Sequence, residues 1–313
     1  MRILTVTLHP AIDQIISTSH LTPNEPNLTK LIKKHAAGKG INAARVLHNL
    51  GIPVLAMTFQ GGDSGKYFSE SLSREGIPAL LIPCQSETRT TTVVFEDESG
   101  KSHSFFEPRQ AITPLEADTM YTHFVDIVGE FDLCLLCGAG EGFALEQQYQ
   151  RMIETAHIKN VPCLLDSSGQ SLINGLKAKP LMVKINLGEL SSLAGRSISS
   201  LQEQLDALIP LIKCTEKYAA VSDQANGILM VEGNHVWHGQ FNPGKVLYTL
   251  GCGDAVLAGM AYAIANRKES KEILSYGVAC GAANTQMFGA GYFSLSTMWD
   301  FLSKVNVQTL ERL

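Results

Sequence analysis

Residues 249–259 read Thr-Leu-Gly-Cys-Gly-Asp-Ala-Val-Leu-Ala-Gly, and the fold turns on how this stretch is read. Thr249 and Leu250 close an extended run. Gly251 and Gly253 accept backbone angles that other residues resist and leave their amides uncovered. From Asp254 onward, Ala255, Val256, Leu257, Ala258, Met260 and Ala261 are the small apolar residues of a buried helix. The N–H groups of residues 251–254 should then converge at a helix N-terminus, which is an anion site. The acid there has two readings. Asp254 is a helix N-cap, or it is a base that takes a proton from a hydroxyl while charge builds on a transferring phosphoryl group. The flanking glycine amides favour the second.

Outward from this turn the chain alternates. Strand-like runs at 3–8, 54–59, 134–137, 161–166, 181–186 and 218–222 are separated by helix-like stretches, among them 40–51, 63–76, 145–160 and 200–212. Strands alternating with helices indicate a mainly parallel α/β sheet with helices on both faces. Two segments break the rhythm. "TRTTTVVFEDESGKSHSFFE" (88–107) is β-branched and aromatic around a turn and reads as an antiparallel hairpin, and 14–35 has no helical period. Segments 14–35 and 87–107 are expected to form a small β-rich lid on a single domain spanning 1–313.

Bulk properties exclude several classes. The 313 residues carry 25 basic and 30 acidic side chains, net −5, so neither a nucleic-acid face nor a polybasic membrane patch is implied. No apolar run reaches the ~18–20 residues that span a bilayer. Seven scattered cysteines fit reduced thiols in a cytoplasmic protein. Cys134-x-x-Cys137 lies inside an apolar strand-like run and reads as buried and structural. "GGDSGK" (61–66) imitates a P-loop but is one residue short, with Tyr67 where a Ser/Thr would hold magnesium.

Three further stretches carry candidate chemistry. In "AAGKGINAAR" (36–45), Gly38, Lys39 and Gly40 open a helix bearing Asn42 and Arg45, either as a plain glycine turn or as a sugar-binding loop. In "LHPAIDQ" (8–14), Asp13 follows the first strand near the sheet's carboxyl edge, where it caps a turn or grips two sugar hydroxyls. In "KINLGEL" (184–190), Asn186 and Glu189 face one side if a helix starts at residue 187, as a helix cap or as a pair ordering magnesium waters.

In this order, the four stretches resemble the PfkB (ribokinase-like) carbohydrate kinase family over nearly the whole chain, and within it the 1-phosphofructokinase and tagatose-6-phosphate kinase branch. The resemblance implies a ribokinase-like α/β fold with a β-lid, ATP and Mg²⁺ as cofactors, and pairing of two copies through their lids. It implies Asp254 as catalytic base with Gly251, Cys252 and Gly253 as the anion hole. Asp13, Gly38, Lys39, Gly40 and Asn42 become sugar contacts, and Arg89 the residue that holds a substrate's existing phosphate. Lys184, Asn186 and Glu189 become the magnesium and triphosphate cluster, with Asn186 and Glu189 acting on the metal through water. Ser222, Gly227 and Asn284 fall at the nucleotide, alongside Gly251 and Gly253.

Departures gather on the sugar side and near the adenine. His9 stands for the family's Asn, Ala37 for a glycine, "CGAGEG" (137–142) for S-G-S-L-P, and "NEPNLTK" lacks an arginine expected in the lid. The expected activity is phosphorylation of a hydroxyl of a ketohexose phosphate, tagatose 6-phosphate or fructose 1-phosphate, to a bisphosphate. A kinase of an unphosphorylated sugar or nucleoside, or a silent ATP-binding regulator, remains as the alternative.

Overall fold

The computed structural model describes residues 1–310. Its strands are β1 (Ile3–Thr7), β2 (Ala11–Thr18), β3 (Lys30–Ala37), β4 (Val54–Gln60), β5 (Ala79–Pro83), β6 (Arg89–Glu96), β7 (Ser102–Phe106), β8 (Leu133–Cys137), β9 (Cys163–Asp166), β10 (Met182–Asn186), β11 (Tyr218–Ser222), β12 (Ile228–Glu232), β13 (His235–Gln240) and β14 (Asn306–Leu310). Ten of them form one sheet in the order β14-β13-β12-β11-β10-β9-β8-β1-β4-β5. From β11 to β5 every pairing is parallel, while β12, β13 and β14 add antiparallel strands at one edge.

Burial explains why the central strands read as unbroken apolar runs. Every residue of β1 and β8 is buried, because helices cover both faces. Successive side chains feed opposite layers. Ile3, Ala56, Leu133 and Leu135 pack on one side with the helices Lys39–Asn49, Cys252–Ala265 and Ser270–Asn284. Leu4, Met57, Cys134 and Leu136 pack on the other with Pro114–Ile127 and Gln148–Ile158. Cys134 and Cys137 are buried free thiols, as expected. The small residues after Asp254 allow two helices to touch: a Cβ on Gly259 would lie 2.5 Å from the Tyr276 carbonyl of the next helix.

The remaining four strands form a second sheet, β3-β2-β6-β7. The β6–β7 hairpin is antiparallel as read, but β2 and β6 pair in parallel. This sheet begins at Ala11 and ends β3 at Ala37, so Asp13 is a strand residue of β2, not part of a turn after β1. The helical reading of 200–212 also shortens, to Leu201–Leu208 followed by a 3₁₀ segment Ile209–Cys214, because Pro210 has no amide for the α-helical ladder. At the mimic of the P-loop, the helix Gly62–Arg74 already holds an anion of its own. The Glu87 carboxylate accepts from the Asp63 and Ser64 amides at 3.1 and 3.2 Å, which leaves no room for phosphate.

Candidate active site

A cavity of about 1380 Å³ opens at the carboxyl edge of the main sheet and is bordered by the small one. It is there because consecutive strands end at it. His9 follows β1, Gly138 follows β8, Asn186 ends β10 and Ser222 ends β11, while Asp13, Arg89 and Thr91 come from β2 and β6. Such a strand edge is where open α/β sheets bind ligands.

At the floor lies the turn 249–254. Gly251 takes φ 81°, a left-handed conformation suited to glycine, and caps the helix Cys252–Ala265 with no side-chain cap. Asp254 is therefore not the N-cap. It sits in the first turn, buried, and its Oδ2 accepts from Asn42 Nδ2 at 2.8 Å. Of the four amides expected to converge, that of Cys252 turns back to the Thr249 carbonyl at 3.3 Å. Those of Gly253 and Asp254 have no acceptor among the described residues. The Lys184 ammonium lies beside them, since a Cβ on Gly253 would be 2.9 Å from Nζ. The Gly251 amide likewise has no acceptor among the described residues, and the three open amides with a buried cation form a positive pocket next to a carboxylate.

Burial pushes the Asp254 carboxyl up to about 6 against the opposing pull of Lys39. Asp13, likewise buried, is pushed up to about 6, lowered by Arg45 and Arg89 and raised by Asp254. Two carboxylates poised just below neutrality share one cavity, and such perturbed acids mark sites of proton chemistry.

Among the assigned residues, Gly40, Glu189 and Asn284 do not line the cavity. Lys39 lines the cavity, and its ammonium bridges Asp166 at 2.6 Å and Glu189 at 3.3 Å. Gly40 is packed against β1, where a Cβ would meet Thr7 Oγ1 at 2.4 Å, so its role is close approach and it does not line the cavity. Asn284 is fully buried, donates to the Leu250 carbonyl at 3.0 Å and accepts from the Gly291 amide at 2.7 Å. It braces the turn and does not line the cavity. Asn186 and Glu189 form a capping box, each side chain accepting from the other's amide at 2.9 and 2.8 Å.

Gly38, Asn42, Arg89, Lys184, Ser222, Gly227, Gly251, Cys252 and Gly253 all line the cavity with Asp13 and Asp254. Two further residues carry no signal in the sequence, Asp166 beneath the cavity lining and Arg109 on it. Asp166 ends β9 and is buried between Lys39 and Lys184, bonded to the latter at 2.8 Å; both cations hold its carboxyl below the usual range despite the burial that opposes them. Arg109, in the loop after β7, lies near Arg89.

A mainly parallel α/β sheet with a second small sheet, and a buried carboxylate beside open amides at the strand edge, match a carbohydrate kinase of ribokinase-like fold. The chain belongs to the pfkB family of carbohydrate kinases, whose model matches residues 6–298. It is 29% identical over 308 residues to the 1-phosphofructokinase of Escherichia coli K12, covering 98% of each chain. Among solved structures it is similar to Escherichia coli phosphofructokinase-2 in complex with potassium, at a TM-score of 0.89 and 25% identity over 97% of this chain and 98% of that one. The same enzyme in complex with substrates and products matches at 0.89 and 25%, over 97% and 99%. Among the described residues no helix is long and apolar enough to cross a membrane.

Proposed function

We propose that the protein transfers the γ-phosphoryl group of ATP to a hydroxyl of a ketohexose phosphate, fructose 1-phosphate or tagatose 6-phosphate, giving a bisphosphate. One observation carries this reading: a single cavity holds Asp254 with its anion hole and also Arg89, and the charge of Asp13 is tuned by both. The likeness to a 1-phosphofructokinase supports a phosphorylated acceptor.

In this reading Arg89 grips the phosphate the sugar already carries, and the Asp13 carboxylate accepts from its hydroxyls. Asn42 holds Asp254 so that its carboxylate takes the proton of the attacking hydroxyl. The Gly253 and Asp254 amides and the Lys184 ammonium face the phosphoryl oxygens as charge accumulates on them. Ser222 and Gly227 border the nucleotide's end of the cavity. For magnesium, Asp166 and Glu189 offer hard oxygen ligands that the Lys39 ammonium bridges, and since no group of three or more such side chains is assembled among the described residues, the triphosphate would supply the remaining ligands. Asp166, with Asn186 and Glu189 through water, would hold the ion, which when bound supplies positive charge to the triphosphate. Pairing of two copies through the small sheets belongs to the same reading, supported by the exposed Leu31, Phe105 and Phe106.

An ADP-release assay over ketohexose phosphates, free ketohexoses and nucleosides tests the reading. Turnover of fructose 1-phosphate or tagatose 6-phosphate should exceed that of the free sugar by at least about tenfold in kcat/KM, as expected for losing charged hydrogen bonds to phosphate. Arg89→Ala should raise KM for the phosphosugar and leave that for a free sugar unchanged. Equal turnover of free and phosphorylated sugars, or none of any acceptor, refutes it.

A further inference from the structure

Two arginines converge on the cavity from separate segments, Arg89 at the start of β6 and Arg109 beyond the end of β7. Their charges oppose each other directly. Both are underused. Arg89 donates only a long 3.4 Å bond, from Nη1 to the Glu107 carbonyl, and its Nε is buried without a partner among the described residues. Arg109 pairs through Nη1 with one oxygen of Glu141.

Glu141 is a poor permanent partner. Its side chain is 65% exposed, so the pair is screened by water and costs little to break. It lies between Gly138 and Gly142, at φ 92° and 86°, two residues whose conformations leave the loop free of side-chain constraint. The loop is pinned at Gly138 and Gly140 through Asp166, Ser167 and Ser171, while the Glu141 amide itself donates only a long bond to His9 Nε2 at 3.4 Å. That bond puts the ring proton on Nδ1, which is buried without a partner among the described residues. Burial, then Arg109 and Arg89, push His9 down to about 4, so it stays neutral and adds no charge of its own. Asp13, Glu141 and Glu107 all act on Arg89, but none of them hydrogen-bonds its guanidinium through a carboxylate, and Arg109 is held by the loosely placed Glu141. A phosphate dianion, with three oxygens and two charges, can accept from both guanidinium forks at once, whereas one carboxylate satisfies only one.

We propose that Arg109 is a second phosphate-gripping residue beside Arg89, and that Glu141 occupies it until the substrate's phosphate displaces the carboxylate. The inference rests on the phosphosugar-kinase reading and deepens it, naming the acceptor as one whose existing phosphate is a terminal dianion. It also accounts for how the cavity binds such a group without the arginine expected within 24–30.

Two measurements separate this inference from the reading beneath it: KM for fructose 1-phosphate and tagatose 6-phosphate in the presence of ATP, and calorimetric titration of inorganic phosphate into the full chain without ATP. Arg109→Ala should raise the phosphosugar KM about tenfold or more and weaken phosphate binding comparably, and Glu141→Gln should lower KM and tighten phosphate severalfold. If Arg109→Ala does not fold, the gain in Glu141→Gln decides alone. Turnover of phosphosugars with KM and phosphate affinity unmoved in both variants overturns the inference and leaves the kinase reading standing. Phosphate binding that Arg109→Ala abolishes, without turnover of any phosphosugar, upholds the anion site and overturns that reading. Absence of phosphate binding in the unaltered protein, together with unmoved KM, overturns the inference.

Discussion

Asn42 Nδ2 donates to Asp254 Oδ2 at 2.8 Å, joining residues 212 positions apart. The amide cannot simply rotate away. Its Oδ1 accepts from Arg45 Nη1 at 3.2 Å, and Arg45 is fixed by the Glu75 carboxylate and the Ala36 and Ala290 carbonyls. Asp254 is thus held by a buried relay from the helix Lys39–Asn49. The hydrogen bond also favours the ionised form, so it lowers a carboxyl that burial raises. With Asp254 at about 6, kcat should fall as pH drops below 6, because the protonated carboxyl cannot take up the hydroxyl's proton. Asn42→Ala should move that acid limb to higher pH and lower kcat at pH 7 by about tenfold. A pH–rate profile with an unmoved limb would show that Asn42 does not tune the base.

Asp254→Asn should separate function from stability. Loss of the base should lower kcat by about 10²–10⁴ with ATP affinity near that of the unaltered protein, checked by single-turnover kinetics and nucleotide titration. The melting temperature should move the other way. A carboxyl raised in the folded state to about 6 from 3.8 gains by protonation, so its favourable contribution is complete below 3.8 and lost as pH rises through 6. At pH 8 the folded protein carries a buried charge that Asn removes, worth ~2–3 kcal/mol. The gain should shrink at pH 5. A melting temperature unchanged at pH 8 contradicts this.

How much of this was legible depends on how local each signal is. The turn at 251–254 could be read because glycine, acid and small apolar residues all act within two helical turns. Asp166 could not. "CLLDSSGQ" reads as a strand running into a turn, and what gives the aspartate its role are lysines 127 and 18 positions away. Lys39 shows the same limit, since the glycines around it reveal a helix start but not that its ammonium bridges Asp166 and Glu189. Asn284 carried a family expectation of ligand contact that a sequence cannot correct, because only the fold shows both faces of its amide already bonded to backbone. The antiparallel edge β12–β14 was missed because Ile228–Glu232 and His235–Gln240 are short and interrupted, and the last strand follows a helix at the far end of the chain.

Asp166 makes the opposite stability prediction. Its carboxylate neutralises Lys184, itself buried, and shares Lys39 with Glu189. Asp166→Asn keeps the volume but strands those cations, and breaking a buried pair from one side costs ~3–5 kcal/mol. A carboxyl held below 3.8 contributes stability above that value and loses it only as pH falls through its lower folded-state value. Urea unfolding should therefore show the same loss at pH 5 and pH 8, unlike the pH-dependent gain of Asp254→Asn. A loss below 1 kcal/mol would mean that the lysines find other partners.

Gly253→Ala tests the anion hole itself. A methyl there would sit 2.9 Å from Lys184 Nζ, on the side where the Gly253 and Asp254 amides are open. Lys184 is held by Asp166 at 2.8 Å, so it yields only by lengthening that bond. The methyl therefore both covers the amides and displaces the cation, while the backbone stays unstrained because Gly253 is not among the residues with positive φ. Removing a preorganised donor to a developing oxyanion costs about 10²–10³ in kcat. Gly253→Ala should lose activity on that scale with a melting temperature close to the parent's. Its KM for the sugar phosphate should hold, because the Arg89 end of the cavity is untouched. A variant that keeps kcat within about twofold would show that the phosphoryl oxygens are stabilised elsewhere, and the amides at 253 and 254 would then have only a structural role.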